Sequence, residues 1–484
     1  MDFAELLALV KSAGAKNTIS VCANSRLVKP GDVFVAVKGT ANDGHDFIPK
    51  AVEKGAKYIV AQLGWQPPKV DGGVAVVLTA DSAKAWGLLA QAVKGNPAGK
   101  LTNLAVTGTN GKTTITFLVR SIIHARHEKC GLIGTVINDT GKGSVESTMT
   151  TPDATTLADM MAQMVENGVK YMIIEASSHA LSQERLASIN FKAAAFTNLT
   201  GDHLDYHKDM DNYLAAKSLL FENLPLDGFA ILNKQSDASE KIAARTQTKV
   251  LYYAVDETAD IRADIVEMNA SETIYDLTYN NQTLRVHSPL LGKHNISNHL
   301  AAAGLCLATG IDLATVVKGL EAMKIVLGRL EAVRCGQEFA VLIDYAHTDD
   351  ALQNVLSTLQ PLCKGKLTVV FGCGGDRDKT KRPRMAKVAH KMADRVIITS
   401  DNPRTEDANQ IIADIVAGLP NATAMNVTID PDREKAIGLA IKSAAKDDIV
   451  LIAGKGHENY QIIGKEKRHF SDREVSEKFL RGTA

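Results

Sequence analysis

Leu104-Ala-Val-Thr-Gly-Thr-Asn-Gly-Lys-Thr-Thr114, followed by the run Ile115 to Ala125, decides how this chain is read. Leu104 to Thr107 has the composition of a buried strand, and Ile115 to Ala125 has helical periodicity. The glycine-containing loop between them, Gly108 to Thr114, therefore sits between a strand and a helix. Glycines let successive backbone N–H groups turn inward around phosphate oxygens, and the helix adds the positive end of its dipole. In such a loop Lys112 reaches the terminal phosphates and the Thr113 hydroxyl ligates magnesium. The seven residues Gly108, Thr109, Asn110, Gly111, Lys112, Thr113 and Thr114 are thus the candidate ATP cradle. The spacing G-x-x-G-K-T is one residue or two shorter than the common phosphate loop.

A phosphate loop needs a second magnesium ligand at the end of another strand, and Met172-Ile-Ile-Glu175 offers an apolar strand closed by a carboxylate. Farther on, Asn198-Leu-Thr-Gly-Asp-His-Leu-Asp-Tyr-His207 crowds acids and imidazoles into a loop after a strand, with Lys217 on the next short helix. Such polarity at a strand end suits metal or phosphate work, while a solvated surface loop is the plainer reading.

Working outward, Gly95-Asn-Pro-Ala-Gly-Lys100 breaks the chain after a helical pattern at Ser82 to Lys94. A second break lies near Ile325 to Gly328, after one helical run from Asn295 to Met323. These breaks predict three units, 1–98, 99–326 and 327–484, matching the roughly three domains that 484 residues suggest. The first is a small α/β domain with strands at Val33 to Val37 and Tyr58 to Ala61. The second is a parallel-sheet domain with strands at Tyr171 to Ile174, Ala194 to Thr197 and Ala230 to Leu232. The third alternates strands at Ala340 to Ile343, Leu367 to Phe371, Val396 to Thr399 and Ile449 to Ala453 with helices, a doubly wound pattern. The fold class is therefore α/β throughout.

Lys plus Arg and Asp plus Glu both number 55, so no net field draws the chain to nucleic acid or an anionic membrane. No run approaches a membrane span, the acidic start is unlike a signal peptide, and six cysteines lack disulfide or zinc spacing. A cytoplasmic protein with reduced thiols is expected.

Nine stretches together carry a resemblance: 108–114, Thr150-Thr-Pro152, Glu175-Ala-Ser-Ser-His179, 198–207, His294-Asn-Ile-Ser-Asn298, Asp344-Tyr-Ala-His347, Phe371 to Asp378, Asp401-Asn-Pro-Arg404 and Ala453 to Glu458. In this order they resemble the Mur ligases, and within them the branch that extends UDP-N-acetylmuramoyl-L-alanyl-D-glutamate by a third amino acid. The resemblance implies a nucleotide-sugar domain, a central P-loop ATPase and a C-terminal Rossmann-like domain that brings the amino acid. It implies ATP-driven amide formation through an acyl phosphate, by a monomer. Lys112, Glu175, His203 and Lys217 fall on the catalytic positions. Thr113 with Glu175 resembles one magnesium site, and His203 with Lys217, expected as a carbamate, a second. Asn295 and Asn298 match adenine contacts, and Arg329 and Asp344 match contacts to ribose and phosphates. Ser25 and Thr40-Ala41-Asn42 fall on the uracil side; Thr150, Thr151, Ser177, Gln183 and Arg185 fall on the muramoyl peptide.

Amino-acid choice rests on Asp401, Asn402, Pro403 and Arg404, with Arg377, Gly454 and Glu458 as further contacts implied by the resemblance. A guanidinium can take a distal carboxylate with two parallel bonds, so Arg404 points to meso-diaminopimelate over L-lysine. The rivals are a sister ligase adding L-lysine, a folate polyglutamate synthetase, and a catalytically silent nucleotide-binding scaffold. Gly372-Cys-Gly-Gly375 lacks dinucleotide spacing, which argues against NAD. Leu327 and Asp349 stand where the family usually has proline, and a looser hinge is expected there.

Overall fold

A computed structural model describes residues 1–484 except 15, 17, 41, 67–72, 269–271, 327, 421–425 and 483–484. The candidate Ala41 and the departure at Leu327 lie outside the described residues. Three sheets and a terminal hairpin carry the chain.

The first sheet runs β1 (Val21–Cys22), β2 (Val33–Val35), β3 (Tyr58–Gln62) and β4 (Ala75–Thr79) in spatial order, all parallel. Its two faces bury Leu6, Val10 and Leu89 on one side and Phe34, Ile48 and Ile59 on the other.

The central sheet is built from β5 (Thr102–Thr107), β6 (Cys130–Ile133), β7 (Ile137–Asp139), β8 (Ser144–Glu146), β9 (Tyr171–Glu175), β10 (Ala193–Phe196), β11 (Phe229–Asn233), β12 (Lys249–Val255), β13 (Ile261–Met268), β14 (Thr273–Tyr279) and β15 (Gln282–Ser288). Its order is β15-β14-β13-β12-β11-β10-β5-β9-β6-β7-β8. The strands from β13 to β6 are parallel, and the apolar runs of β10, β5, β9 and β6 are buried on both faces, as helices covering both sides require. The expected parallel sheet thus forms, but antiparallel strands β14 and β15 extend one edge and β7 and β8 the other. The helical periodicity expected over Asn295 to Met323 is carried by two helices, Lys293–Leu307 and Leu313–Ala322. The second is capped at its start by the Asp312 carboxylate, and the polar Thr309-Gly-Ile-Asp turn ends the first.

The third sheet comprises β16 (Glu331–Val333), β17 (Ala340–Asp344), β18 (Leu367–Phe371), β19 (Arg395–Ile398), β20 (Val427–Ile429) and β21 (Ile449–Ala453), in the order β16-β17-β21-β18-β19-β20. Only β16 is antiparallel, and apolar layers cover both faces, the doubly wound arrangement expected. A hairpin of β22 (Tyr460–Ile463) and β23 (Glu466–His469) follows. Among the described residues no helix is long and apolar enough to cross a membrane.

Candidate active site

Strand order explains why the chemistry collects where it does. In the central sheet β5 lies between β10 and β9, so the loops leaving the carboxyl ends of these three strands converge. From β5 comes the phosphate loop, from β9 Glu175, and from β10 the segment Thr197 to His203. They line a cavity of about 380 Å³, lined also by Arg329, Leu330, Asp344 to His347, Ala351, Asn354 and Val355 of the third sheet's domain.

The phosphate loop is shaped by contacts that leave no room for side chains at its glycines. A Cβ on Gly108 would stand 1.9 Å from the Thr197 hydroxyl, and one on Gly111, at φ +91, 2.4 Å from the Asn298 amide oxygen. The Asn110 N–H donates to the Asn198 side chain at 2.9 Å, and the Thr197 hydroxyl to the Asn110 carbonyl at 2.6 Å. Lys112 Nζ donates to the Gly108 and Thr109 carbonyls at 2.8 and 2.9 Å. Burial works against its charge, with Glu175 and Asp202 supporting it.

Glu175 is buried at the tip of β9. It accepts the Thr113 hydroxyl at 3.1 Å, the Thr135 N–H at 2.8 Å and the Thr135 hydroxyl at 2.9 Å. Thr113 and Glu175 therefore stand side by side as two hard oxygen donors, the type magnesium takes. His203, in a left-handed conformation (φ +55), and Lys217, on the helix Met210–Glu222, line the same cavity. Lys217 is 1% exposed, with Nζ 4.4 Å from the Tyr213 ring centre. Burial and then Lys112 push its amine well below the usual lysine range. Asp202 is also buried; His203, His347, Lys381 and Lys112 outweigh the cost of burial and hold its carboxyl down at about 2. Among the described residues no group of three or more His, Cys, Asp or Glu is arranged to hold a metal by side chains alone. Magnesium commonly keeps several waters and substrate phosphates, so two protein donors per ion suit it.

Asn295 and Asn298 both line the cavity; Asn298 donates to Asn295 at 3.2 Å, and Asn295 donates to the Leu291 carbonyl at 2.8 Å. Arg329 reaches across to the Thr113 hydroxyl at 3.3 Å, with its guanidinium 4.9 Å from the Tyr345 ring centre. Asp344 ends β17 and accepts the Leu330 and Ala346 N–H groups at 2.8 Å each. Thr150 and Ser177 open onto the same cavity. Behind them, Thr151 donates to the Glu175 carbonyl at 2.6 Å, and Arg185 donates to the Thr151 carbonyl at 2.7 Å and to Gln183 at 2.6 Å. Ser25, Thr40 and Asn42 belong to the first sheet's domain and do not line this cavity, Ser25 buried and the other two exposed.

A second cluster forms where β18, β19 and β21 end. Asn402 donates to the Glu458 carboxylate at 2.8 Å, and Lys455 Nζ stands 3.3 Å from the same carboxylate. Burial and Asp401 push the Glu458 carboxyl up. A Cβ on Gly454, at φ +113, would lie 2.8 Å from the Asp401 carboxylate. Pro403 leads into Arg404, which adopts φ +52, donates Nη1 to the Gly375 carbonyl at 2.8 Å and pairs its backbone with Ile462 of the hairpin. The structure brings Asp401, Asn402, Pro403, Arg404, Gly454 and Glu458 together. Arg377 is exposed, with Nη1 on the Asp376 carbonyl.

Sequence reasoning passed over Thr135, Asn198, Asp202, His347 and Lys455. Asp202, Asn198, His347 and Lys455 lie inside stretches it singled out, so their signal was proximity to a motif. Thr135 carries no signal: β6 places it beside Glu175 only because β6 pairs with β9.

Comparison with known proteins adds to this geometry. Residues 19–94 match the model of the Mur ligase family, catalytic domain; 106–306 match the Mur ligase middle domain; 328–456 match the Mur ligase glutamate ligase domain. A UDP-N-acetylmuramoyl-L-alanyl-D-glutamate--2,6-diaminopimelate ligase of Geobacillus thermodenitrificans is 43% identical over 473 residues, 96% of each chain. Its namesake in Bacillus cereus is 44% identical over 469 residues, 96% of this chain and 94% of the relative. A solved structure bearing the same enzyme name superposes with a TM-score of 0.67 at 32% identity, covering 96% of this chain and 94% of that one. A folylpolyglutamate synthase of Mycobacterium tuberculosis, at 18% identity, TM-score 0.63 and 75% of this chain, shares the fold alone. With three family models in order along the sequence and relatives above 40% identity over almost its whole length, the chain belongs to the Mur ligase family.

Proposed function

We propose that this chain joins meso-diaminopimelate to the D-glutamate of UDP-N-acetylmuramoyl-L-alanyl-D-glutamate, cleaving ATP to ADP and phosphate, in peptidoglycan precursor synthesis. One observation carries the reading: the phosphate loop of the central sheet shares a cavity with Arg329 and Asp344 to His347 of the third sheet's domain, and other strand ends of that third sheet gather Asn402, Lys455 and Glu458 beside the Arg404 turn. The proposed units 1–98, 99–326 and 327–484 then supply the nucleotide-sugar, ATP and amino-acid sites in turn. We take the chain to act as a monomer and place it in the cytoplasm with reduced thiols.

In this reading an oxygen of the D-glutamate carboxylate bonds to the γ-phosphorus and ADP leaves. The amine nitrogen then bonds to the acyl carbon, phosphate leaves, and the amine gives up a proton. Lys112 and the amino end of the helix Lys112–Ala125 oppose the charge that builds as a carboxylate approaches a triphosphate. Asn295 and Asn298 face the base, while Arg329 and Asp344 meet the ribose and phosphates. Ser25, Thr40 and Asn42 hold the uracil end; Thr150, Thr151, Ser177, Gln183 and Arg185 hold the muramoyl peptide. Magnesium, when bound, screens the two anions from each other. Thr113 and Glu175 would hold one ion, and His203 with a Lys217 carbamate a second. A carbamate would turn the buried amine of Lys217 into an oxygen donor on the lining of the cavity that His203 also lines. On the amino-acid side, Glu458 takes an ammonium, and Arg404, with Arg377 at the rim, takes the distal carboxylate.

Phosphate release with the UDP-linked dipeptide, ATP and magnesium tests this, with meso-diaminopimelate and L-lysine compared as acceptors. Release and ligated product with diaminopimelate alone is expected. Preference for lysine would overturn the role of Arg404, and no turnover with either would return the chain to a binding scaffold.

A further inference from the structure

Arg382 is among the largest side chains in the protein with no exposed surface, and the reaction gives no reason for a guanidinium at that place. It opens the helix Lys381–Met392, just after the loop that leaves β18. Its Nη1 donates to Asp414 at 2.8 Å and to Glu406 at 3.1 Å. Its Nη2 donates to the other oxygen of Glu406 at 2.9 Å and to the Gly374 carbonyl at 3.3 Å. Glu406 also accepts the Asp376 N–H at 2.6 Å and pairs with Lys379 at 3.0 Å. The Asp376 carboxylate in turn accepts the Thr405 N–H at 3.2 Å and its hydroxyl at 2.8 Å.

These bonds converge on Arg404. The Gly375 N–H donates to the Asn402 carbonyl at 2.9 Å, and the Gly375 carbonyl receives Arg404 Nη1 at 2.8 Å. A Cβ on Gly375 would come within 1.9 Å of the Pro403 carbonyl oxygen, so the two segments touch backbone to backbone. Gly374 to Asp376 thus lies between the Arg404 turn and the Arg382–Glu406 pair, and it is the segment against which the Arg404 guanidinium rests. Arg404 holds a left-handed backbone, a strained conformation for an L-residue that persists where surrounding contacts over-determine it. A buried ion pair contributes little net stability after desolvation, but its forked geometry fixes direction well.

We infer that Arg382 and Glu406 are the positioning residues that aim the Arg404 guanidinium at the distal carboxylate of the incoming amino acid, and so set the preference for a dicarboxylic over a monocarboxylic acceptor. The inference rests on the reading that Arg404 takes that carboxylate. Neither residue touches substrate; both act through the loop Gly374 to Asp376.

The test is steady-state kinetics of Glu406→Gln and Arg382→Lys, with Arg404→Ala alongside, on meso-diaminopimelate and L-lysine. Glu406→Gln keeps shape and an acceptor for the Asp376 N–H while removing the charge, so it carries the test should Arg382→Lys fold poorly. The diaminopimelate KM is expected to rise roughly ten- to a hundredfold, the scale seen when a group that orients a ligand-binding side chain is removed. KM for ATP and for the UDP-linked dipeptide should stay within about twofold, and the diaminopimelate-to-lysine ratio of kcat/KM should fall. A general loss of kcat with the KM and the acceptor ratio unchanged would mean a merely structural pair and overturn the inference. If Arg404→Ala raises the diaminopimelate KM and Glu406→Gln does not, the inference alone fails. If Arg404→Ala itself leaves that KM unchanged, the underlying reading fails with it.

Discussion

Lys217 lines the cavity almost wholly buried, where a plain ammonium would add a second cation that Lys112 opposes. If a carbamate is what that position needs, Lys217→Ala should abolish ligation, bicarbonate should not restore it, and short carboxylic acids should restore it in part. Full activity in Lys217→Ala, read as phosphate release, would remove the residue from the site. His299 makes a different residue-scale case. Its ring lies 2.9 Å from the Tyr275 hydroxyl and 3.4 Å from Ser288, and burial, then the nearby His294, hold it neutral with its pKa pushed down from 6.5 to about 3. Because the folded value lies below the unfolded one, the stability this neutral ring gives is complete above about pH 6.5 and is lost as pH falls toward about 3. Replacing it in His299→Gln should flatten the fall of the thermal midpoint across that window. A midpoint profile parallel to the parent would show that other groups govern it.

The helices that back the phosphate loop are tied at the scale of elements. The helix Leu313–Ala322 packs on the helix Lys112–Ala125 through Gly319, where a Cβ would stand 2.3 Å from the Ile122 Cα, and the Ser121 hydroxyl donates to the Gly319 carbonyl at 2.7 Å. Close backbone approach is the reason for glycine here. Gly319→Ala should force the helices apart and cost about 1–3 kcal/mol, the usual range for overpacking, in urea unfolding. No loss would mean the pair can slide at little cost. Element by element, the strands of the parallel cores were legible because they are buried on both faces and read as unbroken apolar runs. The strands at the sheet's rims were not. Lys249 to Ser288 alternates and carries charge, since β14 and β15 leave one face to solvent, and a run such as Glu-Lys-Arg-His in β23 gives no apolar signal.

Across the whole molecule, polar ties join the central and third domains. Asp350 accepts the Asn110 side chain of the phosphate loop at 2.8 Å and the Thr200 hydroxyl at 3.3 Å, and His294 lies 3.3 Å from the Thr358 hydroxyl. Asp349, where the family usually has proline, begins the helix Asp349–Leu359 and pairs with Arg384 at 3.0 Å. Its carboxylate therefore adds a contact at the helix's positive end, beyond the loss of a ring that the sequence suggested. Asp350→Ala should let the domains separate, seen as a larger radius of gyration by small-angle scattering without substrates and a smaller difference once nucleotide and dipeptide are added. An unchanged radius would show that these ties do not hold the domains closed.

By itself the sequence determined the α/β class, the phosphate loop and the ends of the strands that bear Glu175, Asp344 and Asp401, since each is written in contiguous residues whose spacing has a local physical meaning; the family came from the resemblance that nine separate stretches carry together. Only the tertiary structure decided that Thr135 shares Glu175, that Asp202 lies among His203, His347 and Lys381, and that buried Arg382 reaches the loop against which Arg404 rests. Those relations join residues that are distant along the chain. They depend on which strands pair and which sheet edges meet, a choice made by the burial of whole apolar faces rather than by any motif.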